Sequence, residues 1–120
     1  GPYQKPKSLI PSLIDSNKKG IKINIKNPNL KNDFIHVYDL VNILKILISI
    51  KDTFKTIDIK TNTLVSVNSV KKRVNALFNN TKIKKKNLIF SKPSKYLIPL
   101  SKDKVYKFKI SLDRGIKSCL

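Results

Sequence analysis

Few side chains in this sequence could do chemistry by themselves, and the most reactive types occur singly. The chain contains one histidine, His36, and one cysteine, Cys119. One His and one Cys are too few for a structural zinc site, and a single Cys forms no internal disulfide. His36 could serve as a general acid or base, but it stands where an extended apolar stretch passes into a helix. We interpret it as a hydrogen-bonded structural histidine at that junction.

The positive charge is the next feature with chemical meaning. The formal net charge is +19, and Lys supplies nearly all of it, since Arg occurs only at Arg73 and Arg114. A charge of this size suits a polyanionic partner. Readers of nucleic acids usually combine Arg with interleaved aromatic residues, whereas the Lys residues here are spread along every segment. The pattern favours a solvated Lys-rich surface, and a small stand-alone basic nucleic-acid-binding domain is the alternative function.

Length and composition indicate one small domain over residues 1–120. No apolar run approaches the roughly 20 residues that span a bilayer, so no membrane partner is expected. No signal peptide is visible, and the lone Cys suits a reducing compartment, so we expect a cytoplasmic location. The sequence lacks Met and stops about two turns into its last predicted helix. We therefore expect a chain truncated at both ends.

Apolar periodicity and capping residues predict four helices. The first spans residues 9–19 with Gly20 as its stop, and the second runs from 37 to about 50. The third follows the N-cap Ser66 over residues 67–79, and the last begins at 112 after the N-cap Ser111. The second helix is expected to bury one face, made of Val37, Leu40, Val41, Leu44, Leu47 and Ile48. The third is expected to bury Val67, Val70, Val74, Leu77 and Phe78.

Short strands are predicted between these helices. Alternating or continuous apolar residues indicate strands at 21–25, 34–36, 54–59 and 88–90. Residues 60–63 are expected to form a polar turn with Asn62 left-handed, 82–86 an exposed loop, and 91–107 a long irregular loop. The fold class is therefore α/β, as an α+β-like fragment with short strands and about four helices.

Four segments match the pattern of one family, at residues 1–4 with 9–11, 33–41, 57–59 with 66–67, and 106–116. Together they resemble the C-terminal half of extended short-chain dehydrogenases, the NAD-dependent epimerase/dehydratase family that modifies nucleotide sugars. Residues 1–4, G-P-Y-Q, followed by 9–11, L-I-P, are similar to the family's G-P-x-Q…I-P opening of the substrate domain. Residues 33–41, D-F-I-H-V-Y-D-L-V, resemble its R-D-F-I-H-V-x-D-L segment. Residues 57–59 and 66–67, I-D-I and S-V, resemble N-I-G-S-G…S-V. Residues 106–116, Y-K-F-K-I-S-L-D-R-G-I, resemble the closing Y-K-P-x-x-S-L-E-E-G-I.

The resemblance implies that this chain is the substrate-binding C-terminal part of such an enzyme. The family's Rossmann domain, which holds NAD or NADP, would lie upstream of Gly1, together with the catalytic Tyr-x-x-x-Lys. Tyr3 and Lys7 have that spacing, but Pro6 between them argues against one helical face, so we interpret the pair as a coincidence. The parent enzyme would be an epimerase, dehydratase or reductase, with a homodimer as one possible assembly and no metal. The fragment alone would catalyse nothing.

The resemblance also implies where a nucleotide sugar would bind. The family grips the diphosphate with two Arg residues. The matching positions here hold Asn32, beside Lys31, and Lys92. Ile23 and Ile25 match a strand whose backbone pairs with the nucleotide base, and an ordinary edge strand is the alternative. Ser8 and Leu9 match pocket-lining positions, where helix capping and core packing are the alternatives. A decayed family member kept for protein contacts is a further possibility.

Overall fold

A computed structural model describes residues 2–51, 56–82 and 91–120 of the chain. This part forms a small α+β fold of four helices and two two-stranded antiparallel sheets. The helices are α1 (Leu9–Lys19), α2 (Val37–Ser49), α3 (Val67–Lys82) and α4 (Leu112–Lys117). The strands are β1 (Lys31–Asp33), β2 (Leu64–Ser66), β3 (Leu97–Pro99) and β4 (Val105–Lys107), with β1 paired to β2 and β3 to β4.

Capping contacts confirm the predicted end of α1 and the predicted starts of α3 and α4, whereas α3 ends at Lys82 and not at residue 79. Gly20 has φ 68°, the left-handed conformation that glycine adopts without steric cost, and it ends α1. The Ser66 hydroxyl accepts from the Ser69 amide at 3.2 Å, which caps α3. Ser111 accepts from the Arg114 amide at 3.3 Å and caps α4. Asn62 is left-handed with φ 55°, as the polar turn requires.

Helices α1, α3 and α4 enclose the first of two cores, which we call the helical core. The whole predicted face of α3 is buried, from Val67 to Phe78. Its apolar spacing therefore identified both the helix and its inward side correctly. The members of the helical core are Ile10, Leu13, Ile14, Val70, Val74, Leu77 and Ile116.

Most of the predicted inner face of α2 lies on the outside. The prediction is wrong for Val37, Leu40, Val41, Leu44 and Ile48, whereas Leu47 packs against the second core as expected. Ile43 is fully buried in the second core, and Ile48 on the predicted inner face is 87% exposed. We call this second cluster the hairpin core, because the β3–β4 hairpin supplies the other members, Ile98, Leu100, Tyr106 and Phe108. The exposed apolar residues of α2 form a surface that we call the α2 stripe: Val37, Leu40, Val41, Leu44 and Ile48.

Several strand predictions are also corrected. Residues 34–36 are not in a strand, since β1 ends at Asp33, and 21–25 and 56–59 have no strand assignment in the described part. The loop predicted at 91–107 instead contains the β3–β4 hairpin. The predictions for 52–55, 83–86 and 88–90 lie outside the described residues. In the described ranges, none of the helices has the length and apolarity needed to cross a bilayer.

Candidate functional site

Residues 33–37 join the two cores, and this junction organises the candidate site. Successive side chains of an extended chain point to opposite sides. Phe34 packs against the helical core and Ile35 against the hairpin core. Asp33 precedes this pair and His36 follows it. Both make polar contacts with segments that are distant in sequence.

The Asp33 carboxylate holds the turn that follows residue 60. It accepts from the Thr61 amide at 2.8 Å and from the Asn62 amide at 3.1 Å, and the Thr61 hydroxyl also donates to it. Hydrogen bonds to an ionised acceptor are stronger than those between neutral groups. Asp33 thereby ties the end of β1 to a turn 28 residues further along the chain.

The Asp39 carboxylate holds the segment after β4 in place by hydrogen bonds, as Asp33 holds its turn. It is fully buried at the start of α2, where a carboxylate also suits the positive end of the helix dipole. Its carboxylate accepts from the Tyr106 hydroxyl at 2.7 Å and from the amides of Lys109 and Ile110, each at 3.1 Å. Burial, together with this hydrogen bond, raises the pKa of Tyr106 to about 12. Asp39 is therefore the point at which α2 and the closing segment are joined.

His36 is a structural residue whose proton positions are set by its neighbours. Its Nδ1 accepts from the Tyr38 amide at 3.2 Å and so caps α2. In the neutral imidazole the other nitrogen, Nε2, must then carry the proton, and it lies 3.2 Å from the Ser118 hydroxyl oxygen. Ser118 in turn donates to the Gly115 carbonyl at 2.8 Å. His36 is therefore a donor to Ser118 and cannot act as its base, which excludes a Ser–His nucleophile here.

The stability of the chain should depend on the protonation of His36. Burial lowers the pKa of His36, so the unfolded chain takes up this proton more readily than the folded one. The contribution is therefore present above the unfolded pKa of about 6.5 and is lost as the pH falls from that value through the lower pKa of the folded chain. Since protonation removes the cap acceptor, we expect the urea unfolding midpoint to be lower at pH 5.5 than at pH 7.5.

The His36→Asn variant is the control for this experiment, because Asn caps a helix without titrating in the same range. Its stability should change little between pH 7.5 and 5.5. An equal loss in both proteins would show that other groups cause the pH dependence.

A cavity of about 400 Å³ opens beside this junction. Residues 2–4 and 9–10, residues 34–37, and residues 110–112 with 115–116 line it, so three separate stretches meet here. Gly115 permits the close approach of His36, since a Cβ added to this glycine would lie 3.0 Å from Cδ2 of the imidazole. Most of the lining is apolar, with Gln4, His36 and Ser111 among the polar groups.

A second cavity of about 200 Å³ shares Phe34 with the first and has a more polar lining. Arg73 from α3 and Lys92 face it. Asp113 binds the guanidinium, with its Oδ1 2.8 Å from Nη1, and its Oδ2 accepts from the Ser91 amide at 2.8 Å. Burial raises the pKa of Asp113, but the hydrogen bonds from Arg73 and Ser91 outweigh it, and the pKa lies below its usual value.

The residues predicted to bind a nucleotide sugar do not gather in one place. Leu9 lines the first cavity and Lys92 the second. Ser8 occupies the N-cap position of α1 without a side-chain cap bond. Ile23 and Ile25 pack against the helical core. Lys31 and Asn32 are exposed on β1, and neither lines these two cavities.

Sequence reasoning missed the polar contacts that build the site. The carboxylates of Asp33, Asp39 and Asp113 each hold a segment far away in sequence, and no local spacing indicates such partners. Within the described ranges, no three His, Cys, Asp or Glu side chains come together as a possible metal site. No protein-family model, curated protein or solved structure matches this chain.

Proposed function

We propose that this chain is the nucleotide-sugar-binding part of an NAD(P)-dependent epimerase, dehydratase or reductase, and that it is not catalytic alone. The observation that carries the proposal is the convergence of the resembling segments. Residues 2–4, 34–37 and 110–112 with 115–116 belong to three of the segments that resemble the extended short-chain dehydrogenases, and they line one cavity. The cavity is therefore lined by segments on which the resemblance rests.

The hydrogen bonds of Asp33 and Asp39 support the same proposal. Asp33 joins the second resembling segment to the turn within the third, and Asp39 joins it to the fourth. Both carboxylates are positions at which the sequence agrees with the family pattern. These agreements therefore coincide with the contacts that hold the segments together.

The α2 stripe supports the presence of a partner domain in the proposed enzyme. Val37, Val41, Leu44 and Ile48 recur at the spacing of one helical face, and all are at least 41% exposed. Contiguous exposed apolar residues of this kind mark interaction surfaces. In the proposal, the dinucleotide-binding half of the enzyme packs against this stripe.

The cofactor would be held by that other half and not by this chain. A dinucleotide site of this type needs a glycine-rich turn that lets the backbone approach the pyrophosphate. The sequence has three glycines, Gly1, Gly20 and Gly115, which are far apart. The residues present do not fit NAD or NADP, so no chemical step through the cofactor is assigned to them.

The coding sequence upstream of Gly1 tests this proposal directly. We expect a strand, a glycine-rich turn and a helix in that order, followed by a Tyr-x-x-x-Lys pair on one helix. An upstream sequence without the glycine-rich unit would overturn the proposal.

A binding experiment tests the ligand class with the 120-residue chain itself. We expect UDP-glucose or dTDP-glucose to shift the amide resonances of residues 34–37 and 110–112, whereas glucose alone should not. Filter binding of DNA at two salt concentrations is the parallel measurement. Tight DNA binding that persists near physiological salt, with no response to either nucleotide sugar, would favour the basic nucleic-acid-binding domain instead.

A further inference from the structure

The β3–β4 hairpin has a second face that points away from the hairpin core. In an antiparallel pair, directly opposite residues share a face, and successive residues alternate between the two faces. Ile98 and Tyr106 are opposite each other and both lie in the hairpin core. The other side, which we call the outer hairpin face, consists of two opposite pairs: Leu97 with Lys107, and Pro99 with Val105.

The apolar members of the outer hairpin face are exposed and adjacent. Leu97 is 48% exposed and Val105 is 59% exposed, and Pro99 is exposed beside them. Leu97 and Val105 are diagonal neighbours across the pair, and diagonal neighbours lie close enough to contact each other. The opposite side of both strands is buried, so the hairpin holds this apolar patch at the surface.

Lysines surround the apolar patch. Five exposed Lys residues lie in the hairpin or next to its ends: Lys95, Lys102, Lys104, Lys107 and Lys109. Asp103, in the turn, is the only acidic residue in the sequence from 95 to 109. Within the described part of the chain, none of the five lysines forms an ion pair. The hairpin therefore presents five positive charges against one negative charge around an apolar centre.

This combination of side chains suits an anionic lipid surface. Aliphatic side chains enter the interfacial layer of a bilayer, and lysines beside them are attracted to anionic headgroups. A nucleic-acid surface typically uses Arg for bidentate contacts and aromatic rings for stacking. The outer hairpin face has neither, because Tyr106 and Phe108 point into the hairpin core.

The outer hairpin face is separate from the other surfaces described above. None of its four residues lines the two cavities beside Phe34. The hairpin core lies between this face and α2, and the α2 stripe is on the side of α2 away from that core. A domain packed against the stripe would therefore leave the outer hairpin face open.

We propose that the outer hairpin face attaches the chain to an anionic membrane surface. Leu97, Pro99 and Val105 enter the interfacial layer, and the surrounding lysines contact the headgroups. The expectation of no membrane partner rested on the absence of a spanning run, and a surface contact needs none. The attachment depends on anionic lipid and weakens as the salt concentration rises.

Co-sedimentation with vesicles of phosphatidylcholine, with and without phosphatidylserine, tests the inference on the 120-residue chain. We expect binding to the vesicles that contain phosphatidylserine, and weakening by at least about tenfold in the Lys107→Gln/Lys109→Gln variant. Lys22→Gln/Lys26→Gln is the matched control, because it removes the same charge at exposed positions beside the helical core. The control should weaken binding by no more than about twofold, since the attraction falls off within a Debye length.

A fluorescence measurement tests the apolar contact separately. The chain contains no Trp, so one introduced Trp reports its own surroundings. The emission of Leu97→Trp should shift to shorter wavelength when vesicles containing phosphatidylserine are added. Leu64→Trp is the matched control, because Leu64 is 65% exposed on the other sheet, and its emission should not shift.

Two results would overturn the inference outright: equal weakening by the two lysine pairs, or an unchanged emission of Leu97→Trp. Tight binding of duplex DNA near physiological salt, with no binding to phosphatidylserine vesicles, would also overturn it and would favour a nucleic-acid partner. None of these measurements involves a nucleotide sugar, so this inference and the proposed function can fail separately.

Discussion

Ile43→Ala should lower the free energy of unfolding by about 3 kcal/mol, whereas Leu44→Ala should change it by less than about 0.5 kcal/mol. Ile43 is fully buried in the hairpin core, and Leu44 is 47% exposed on the α2 stripe. The first substitution removes buried methyl and methylene groups and leaves a cavity. The second removes atoms that already contact water, so the two neighbouring positions separate the two faces of α2.

Urea unfolding followed by circular dichroism measures both variants under the same conditions. Both positions lie inside α2 and both become Ala, so differences in helix propensity are small beside the expected gap. Equal losses, or a larger loss for Leu44→Ala, would mean that the stripe and not Ile43 faces the interior. The α2 stripe would then no longer support a partner domain.

The wrongly predicted buried face of α2 shows where sequence periodicity stops being informative. The helix has apolar residues on both sides, with Ile43, Ile46 and Leu47 towards the hairpin core and the stripe on the other. Periodicity favours the side with more apolar members. It does not reveal that a carboxylate, Asp39, lies on the buried side, because its three hydrogen-bond donors come from residues 106–110.

Helices α1 and α3 were predictable because each has a single apolar face and a clear cap. The β3–β4 hairpin was not, because its strands have three residues each and Pro99 in β3 argues against a strand. Its turn also lacks the glycine that usually marks a hairpin. The strand predicted at 21–25 alternates correctly, but strand formation needs a partner, and alternation alone does not supply one.

The residues of the candidate site also fall into two groups, those that the sequence indicates and those that it does not. The sequence indicates Lys92, because it stands where the resemblance places one of the two Arg residues that grip the diphosphate. Arg73 could not, since nothing in α3 indicates that Asp113, 40 residues away, would hold its guanidinium at a cavity. Contacts between distant segments depend on the packing of both cores, which no local pattern encodes.

Asp39→Asn should lower the free energy of unfolding by about 3 kcal/mol. The carboxylate is fully buried and accepts from the Tyr106 hydroxyl and from two backbone amides. An Asn side chain offers one acceptor oxygen, and its amide group would face N–H donors that then lack a partner. Asp103→Asn is the matched control, since Asp103 is exposed beside the β3–β4 turn and should change stability by less than about 0.5 kcal/mol.

Tyr106→Phe removes one of the three donors to Asp39 and should cost about 2 kcal/mol near neutral pH. Because the pKa of Tyr106 is raised, the effect of this substitution on stability should become smaller as the pH rises. The unfolded chain loses this proton near pH 10, while the folded chain keeps it until about pH 12. The contribution of Tyr106 is therefore complete below pH 10 and is lost as the pH rises through 12. Urea midpoints of both proteins at pH 8, 10 and 11 should converge with rising pH, and a constant difference would show that Tyr106 does not donate to a buried carboxylate.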